Sequence, residues 1–446
     1  MTLKIDAIRE CFEGVVPAVM GTADPSGIPN VAYLSQVQFV DSDHVALSYQ
    51  FFNKTRQNIL VNPKALLMVT NPHTAEKYRL SLQFLRTETS GPLFESMKAK
   101  LAGIASHTGM SGVFRLLGSD VFRVLDIERV PGASLPPPPK RNQLAALRRL
   151  TERIATCTEL ECLLTESLAC LDTHFDIHHA MVLILDQHRT RLYTVASRGY
   201  DASGVGSEIP LGQGVIGVAA RERTPIRIGH MNSEYAYSRA IRENTKDNGG
   251  ADAIESEIPL PGLCESRSQL AVPIIACHRL IGVLYVESPH DLRFTYDDED
   301  ALVAAAGQLG LAIHILQNAA EAIDEPAAAA AAPEPVAGPP LLIRHFAEND
   351  SVFINDDYLI KGVAGSIFWA LLRDHVDKNR SIFTNRELRL DGRIRLPDVS
   401  DNLEARLLLL ARRLVERDAR VRIEKTGRGR FRLRVYSPVQ LVEVPV

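Results

Sequence analysis

Two apolar runs near the middle of the chain, Leu270–Ala276 and Leu280–Val286, flank a polar turn at Cys277-His278-Arg279. Runs of Val, Ile and Leu broken by so short a turn predict a β-hairpin inside a buried sheet. A helical period follows over Asp297–Ile323, where Leu302, Ala306, Leu309, Ile313 and Leu316 fall on one face. The acidic run Asp297-Asp298-Glu299-Asp300 opens that helix and suits the positive end of its dipole. Upstream, the pattern predicts helices over Gln143–Thr156 and Leu160–Thr173, then strands over Ala180–Asp186 and Leu192–Ser197. Gly212 and Gly214 permit a tight turn into a helix over Val215–Arg221. The stripe Leu144, Leu147, Leu150 and Ile154 can pack on its own domain or on a second copy of the chain.

The opening of the chain alternates at the shorter period of strands. Candidates are Val15–Ala23, Val31–Phe39, Val45–Tyr49, Ala65–Thr70, Tyr78–Thr89 and Gly118–Val130, after an amphipathic helix at the very start. Asp24-Pro25-Ser26-Gly27 is a turn between the first two. Helices are predicted over Lys54–Asn62, stopped by Pro63, and over Leu93–Ala105. Five or six antiparallel strands with two helices point to a closed barrel. The far end reads as short strands Val352–Ile354 and Tyr358–Ile360, helices Gly362–Val376, Asn385–Leu390 and Ser400–Arg417, and a hairpin Val421–Val435. Leu403, Leu407, Leu410 and Leu414 form the core face of the third helix, and Arg406, Arg412, Arg413 and Arg417 its other side.

Two breaks divide the chain. Pro136–Pro139 is a stiff extended spacer, and the Ala/Pro-rich stretch Pro326–Pro340 is a linker. Three domains are expected in the 446 residues: Met1–Leu135, Pro136–Glu325 and Leu341–Val446. The fold class is multidomain α+β. Hydrophobic residues at 46% and charged residues at 23% fit a globular protein. No signal pattern and no apolar run long enough to span a bilayer is evident, so a cytoplasmic location without a membrane partner is expected. The six cysteines show no C-x-x-C pair and no zinc-like spacing, and the His174, His178, His179 group lacks a completing carboxylate pattern, so no metal is expected. Net charge is −4, yet Leu341–Val446 holds 20 Lys and Arg against 15 Asp and Glu, +5 against −9 for the remainder. That asymmetry points the last domain towards a nucleic acid.

Three resemblances sharpen this. "RSQLAVPI", "RLIGVLYVES" and "RFTYDDEDALVAAAGQLGLAI", with "EIPLGQGVIGVAARERTPIRI" before them, resemble a GAF domain, the small-molecule-sensing α/β module. The resemblance implies a ligand pocket under the stretch between Ile228 and Ser266, with Tyr235, Tyr237, Arg239 and Cys264 as candidate contacts. Phe294 followed by Asp298-Glu299 echoes half of the motif of cyclic-nucleotide-binding members; the Asn-Lys pair that precedes it in them is missing. "VVPAVMGTADPSGIPNVAYLS" and "HVALSYQFFNKTRQNILVNPKALLMVTNP" resemble the FMN-binding split barrel of the pyridoxamine 5′-phosphate oxidase-like family. This implies FMN, with haem or a deazaflavin as alternatives, and a phosphate held by Ser48, Gln50, Lys54, Thr55 and Asn58. A hydroxyl, an ammonium and free amides at a helix start suit a phosphate; a solvated helix cap uses the same residues. The arginine-rich substrate signature of the true oxidases is missing.

The last segment resembles the winged-helix effector domain of response regulators. It implies that Arg406 and Arg413 reach base edges and that Arg428 and Arg430, at the hairpin tip, reach phosphates. The expected function is a homodimeric one-component sensor and transcription regulator, with ligand or redox input through the first two domains and DNA output through the third. The alternatives are a flavin-dependent oxidoreductase with a regulatory GAF domain, and an adaptor whose last domain binds a protein. No nucleophile–base pair stands out as catalytic.

Overall fold

The computed structural model describes residues 3–12, 16–34, 36–49, 54–91, 93–98, 101, 116–186, 190–229, 258–321, 339–394, 396, 403–427 and 429–444. A 3-10 helix, Ile5–Phe12, stands where the amphipathic start predicts a helix, and it buries Ile5, Ile8, Cys11 and Phe12. Seven strands follow: β1 (Ala18–Ala23), β2 (Pro29–Leu34), β3 (Val37–Phe39), β4 (His44–Tyr49), β5 (Lys64–Thr70), β6 (Lys77–Glu88) and β7 (Gly118–Val130), with α1 (Lys54–Val61) between β4 and β5. Their order is β2-β1-β5-β6-β7-β4-β3. No pairing joins β2 to β3 among the described residues, although only two residues separate Leu34 from Val37, so the curled sheet fits the split barrel that the resemblance implies. The predicted strand Val31–Phe39 is divided into β2 and β3, which sit at opposite edges. Bulges at Ser81/Leu82 and Phe84/Arg86 bend the long β6–β7 ladder. Met20, Leu67, Leu80 and Phe122 fill the inside with the 3-10 helix.

The central part begins with α2 (Gln143–Ile154) and α3 (Leu160–Phe175). The sheet comprises β8 (His179–Asp186), β9 (Arg191–Arg198), β10 (Glu208–Pro210), β11 (Ile226–Ile228), β12 (Ser268–Ala276) and β13 (Arg279–Ser288). Its order is β10-β9-β8-β13-β12-β11, and the predicted hairpin is the β12–β13 pair. The polar turn between them holds Cys277 and His278 at positive φ. The helix α4 (Gly214–Glu222) packs on one face, over Met181, Leu183, Val283 and Tyr285. On the other face lie α2, α3 and α5 (Tyr296–Glu321). Ala146, Leu150 and Ile154 turn α2 into its own domain while Leu144 stays exposed. Within α5, Tyr296–Gln317 is long and apolar enough to cross a membrane, contrary to the sequence expectation; Leu302, Ala306, Leu309 and Ile313 are buried in the shared core.

The acidic opening of α5 does more than complement a dipole. Arg9 in the 3-10 helix reaches Asp297 at 2.5 Å and Asp300 at 2.9 Å, and its guanidinium lies 5.0 Å from the Tyr296 ring. These contacts fasten the first sheet to the start of α5.

The last part comprises β14 (Leu341–Phe346), β15 (Ser351–Ile354), β16 (Asp357–Ile360), α6 (Val363–Lys378), β17 (Ile382–Thr384), α7 (Asn385–Leu390), α8 (Leu403–Glu416), β18 (Val421–Gly427), β19 (Arg430–Val435) and β20 (Val439–Val444). One sheet has the order β16-β15-β14-β20, the other β17-β19-β18. The predicted α7 appears with unchanged bounds, opened by a capping box between Thr384 and Glu387. The one tryptophan, Trp369 in α6, stacks on His345 with ring centroids 4.8 Å apart. Apolar side chains of α8 join those of α3 and β9 in one continuous core, so the central and last parts are not separate hydrophobic bodies.

Candidate functional site

The cradle expected for a phosphate lies at the start of α1. Asp24 opens the turn to β2 by accepting from the amides of Ser26 and Ile28, and Gly27 takes the positive φ that the turn needs. This brings the Asp24 carboxylate to 3.6 Å from the Lys54 ammonium, which is half exposed. Thr55 is buried, and its hydroxyl accepts from Asn30 at 2.8 Å, leaving its own proton to donate. Lys54 and Thr55 therefore suit an anion at the helix start. Asn58 does not: it is 3% exposed and gives its amide to Thr22 at 3.1 Å, tying α1 to β1. Ser48 lies on β4, paired in register with Ser119. Gln50 lies outside the described residues.

Beside this cradle is a group that the sequence does not announce. Arg56 pairs with Asp120, donates to Thr87 at 3.0 Å and covers the Tyr49 ring at 4.0 Å. Thr87 in turn donates to Asp120 at 2.6 Å. These residues are scattered over three strands and a helix, so no local spacing betrays them.

On the α4 side of the central sheet, Glu287 is 2% exposed and accepts from the Leu263 amide at 3.0 Å. Tyr285 donates to it at 3.4 Å. Burial, with the Glu287 charge beside it, pushes the Tyr200 hydroxyl far above the usual phenol range. Burial also lowers His179. Cys264 is exposed at this edge. Tyr235, Tyr237 and Arg239 lie outside the described residues. Of the half-motif in α5, Asp298 is turned to the Thr295 amide at 2.8 Å and Glu299 to Arg227 at 2.9 Å, so both hold the helix start together.

The arginines of α8 are placed against the sequence expectation. Arg406 and Arg413, expected to reach base edges, are 4% and 6% exposed. Arg406 meets Asp186 of β8 at 3.2 Å and lies over the Tyr193 ring of β9. Arg413 donates to the Leu359 carbonyl at 3.2 Å and to Glu416 at 2.9 Å. Arg412 donates to the Val195 carbonyl at 2.7 Å, and burial lowers its guanidinium. The cause is the unbroken buried run Ala405–Leu410, which leaves α8 no solvent face at its middle. Leu409 packs near Gly206 of the central part. At the edge of the contact Lys425 meets Glu159 at 3.6 Å and Ser203 donates to Glu416. A cavity of about 150 Å³ remains there, lined in part by Glu159, Leu160, Leu408, Lys425 and Arg430. Arg430 stays partly exposed; Arg428 lies outside the described residues.

Two family models match. One described as a GAF domain covers residues 159–313, and one described as pyridoxamine 5′-phosphate oxidase covers residues 5–110. No curated protein matches the chain. Among solved structures, the GAF domain of an Acinetobacter phosphoenolpyruvate-protein phosphotransferase is 20% identical, over 42% of this chain and 99% of its own, with a TM-score of 0.32. Free methionine-R-sulfoxide reductase from Neisseria meningitidis is 22% identical, over 40% and 91%, with a TM-score of 0.31. An FMN-binding protein from Syntrophomonas wolfei is 19% identical, over 29% and 86%, with a TM-score of 0.26. The chain thus carries an N-terminal domain of the pyridoxamine 5′-phosphate oxidase-like kind followed by a GAF domain.

Proposed function

We propose that the chain is a sensory regulator in which the GAF and N-terminal domains receive a small-molecule signal and a winged-helix domain at 341–446 delivers it to DNA. The observation that carries this reading is the Arg406–Asp186 pair, which clasps the third helix of the last domain to the GAF sheet. A buried ion pair at a domain contact is poised to switch, because losing one partner leaves the other charged and buried, at about 3–5 kcal/mol. The state described is then the closed one, and the signal shifts the population towards a state with α8 free. A net charge of +5 on the last segment and the basic wing around Arg428 and Arg430 support a nucleic-acid partner. Homodimers belong to the same reading, and sedimentation of the purified chain tests for them.

The clasp yields a direct test. Asp186→Asn should bind duplex DNA about 10-fold or more tighter than wild type, with an affinity that falls steeply as salt rises. Adding Arg428→Ala and Arg430→Ala should remove that gain. Absence of DNA binding at low salt by both wild type and Asp186→Asn would overturn the DNA output.

In the N-terminal domain the reading includes FMN, supported by the match to the oxidase-like family and by the cradle at Lys54 and Thr55. Bound there, a flavin would supply redox chemistry, and the chain's own part is to hold its phosphate. Titration with FMN, followed by flavin fluorescence, should give saturable binding that Lys54→Ala weakens about 5- to 10-fold. Equal affinity in the two proteins would place the phosphate elsewhere.

A further inference from the structure

The connection from α2 to α3 holds a pair of thiols that the function above does not use. Cys157 sits between the helices and Cys162 in the first turn of α3, and their sulfurs are 3.2 Å apart. The sequence separation of five hides them from a search for C-x-x-C pairs; the helix start folds them together. They differ in setting: Cys162 is exposed and Cys157 partly buried. Burial, together with the neighbouring Cys162, pushes the Cys157 thiol up to about 12, and its proton points to the Arg153 carbonyl at 3.5 Å. The residues between them face the output domain. Glu159 meets Lys425, and Glu159, Leu160 and Glu161 line the cavity shared with α8 and the β18–β19 hairpin. Glu159 also stands at the start of α3 without any side-chain cap, so little local structure opposes its movement.

We propose that Cys157 and Cys162 form a reversible dithiol–disulfide site that responds to hydroperoxides and alters the contact between α3 and the C-terminal domain. Its chemistry stands alone; its consequence for output rests on the regulatory reading above. The exposed Cys162, as thiolate, attacks one peroxide oxygen. An S–O bond forms, the O–O bond breaks, the leaving alkoxide (hydroxide from hydrogen peroxide) takes a proton to become the alcohol or water, and sulfur loses two electrons to give a sulfenic acid. The Cys157 sulfur then attacks the Cys162 sulfur. The S–S bond forms and the S–O bond breaks, and the Cys157 proton leaves with the sulfenic oxygen as water. In sum, two thiols and one hydroperoxide give a disulfide, water and the corresponding alcohol or water. An external dithiol reverses it by exchange. The sulfurs must approach by about 1.2 Å to reach bonding distance, which draws in the turn Thr158–Glu161 and with it the Lys425 contact.

The test uses the purified full chain, treated with hydrogen peroxide, alkylated after denaturation and digested with trypsin. Peptide 154–189 carries Cys157, Cys162 and the buried Cys170. The expected product is alkylated at Cys170 only, is lighter than the fully reduced peptide by ~2 Da before alkylation is counted, and is restored by dithiothreitol. Cys157→Ser should instead accumulate a sulfenic acid at Cys162 that dimedone traps, and Cys162→Ser should form neither. Retained alkylation of both Cys157 and Cys162, or sulfinic acid at Cys162 of wild type without the disulfide, overturns the site. Hydrogen exchange over residues 403–416 should rise on oxidation of wild type and not of Cys157→Ser. A disulfide with unchanged exchange there overturns its link to the output, whereas a disulfide with raised exchange but no DNA binding by Asp186→Asn faults the DNA reading alone.

Discussion

At the scale of single residues, the C-terminal domain is pinned by a few charges and close approaches. Asp374 in α6 is 6% exposed. Burial pushes its carboxyl up, but hydrogen bonds from Arg393 and Lys378, at 2.9 and 3.0 Å, outweigh that and hold it below the usual range. A carboxylate lowered in the folded state adds stability above its unfolded value, about 4, and loses it as pH falls through the folded value. Stability of this region should therefore be level above about pH 5 and fall below about pH 4. Glu387 and Asp391, lowered too, act in the same window, so Asp374→Asn should flatten the acid limb without abolishing it. The same variant should cost about 1.5–3 kcal/mol near neutrality, read from urea unfolding. Gly365 faces the Asp350 carbonyl so closely that an added Cβ would lie 1.9 Å from its oxygen. Gly365→Ala should cost about 1–3 kcal/mol or more, and equal stability in the two proteins would mean that the helix slides. Of these contacts only the i,i+4 pair Asp374–Lys378 has a sequence signature; Arg393 and the Asp350 carbonyl are brought to Asp374 and Gly365 by the fold.

At the scale of elements, periodicity served well for existence and poorly for orientation. The bounds of α7 and the strand Gly118–Val130 are as the pattern predicts, and the helix predicted over Ser400–Arg417 is present as Leu403–Glu416. The direction in which that helix turns its arginines was not legible. Arginine on an amphipathic helix suits solvent, phosphate or a buried carboxylate equally, and Asp186 is more than two hundred residues away. Leu408 and Leu409, beside Arg406 and Arg413, were the available sign that this face meets protein. Likewise one run of strand residues, Val31–Phe39, became two edge strands, since a period of two fixes faces but not partners. The phosphate cradle was legible only in part: Lys54 and Thr55 sit at the helix start, whereas Asn58 is used within the sheet. At this scale the capping box of α7 is open to test. Thr384→Ala removes the bond to the Glu387 amide and should lower stability by about 0.5–2 kcal/mol in urea unfolding, with the fold intact by circular dichroism.

At the scale of the whole molecule, the hydrophobic cores do not follow the linkers. The first sheet keeps clusters of its own, while one cluster runs through the GAF helices into the last domain. The break that the Ala/Pro stretch makes in the chain is thus bridged in space, which the sequence could not disclose. Calorimetry should resolve two transitions, one for the first sheet and one shared by the rest, and Leu409→Glu should split the second by parting α8 from the GAF sheet. A single second transition in that variant would mean that the domains are coupled by other contacts. The lone tryptophan turns this architecture into an optical instrument. Trp369 is 7% exposed and stacked on His345 in the C-terminal domain, within the core that this domain shares with the GAF helices. Its emission therefore reports the surroundings of α6, so a change of colour or intensity on adding a small molecule that binds the first or central domain would reveal communication between domains without any label.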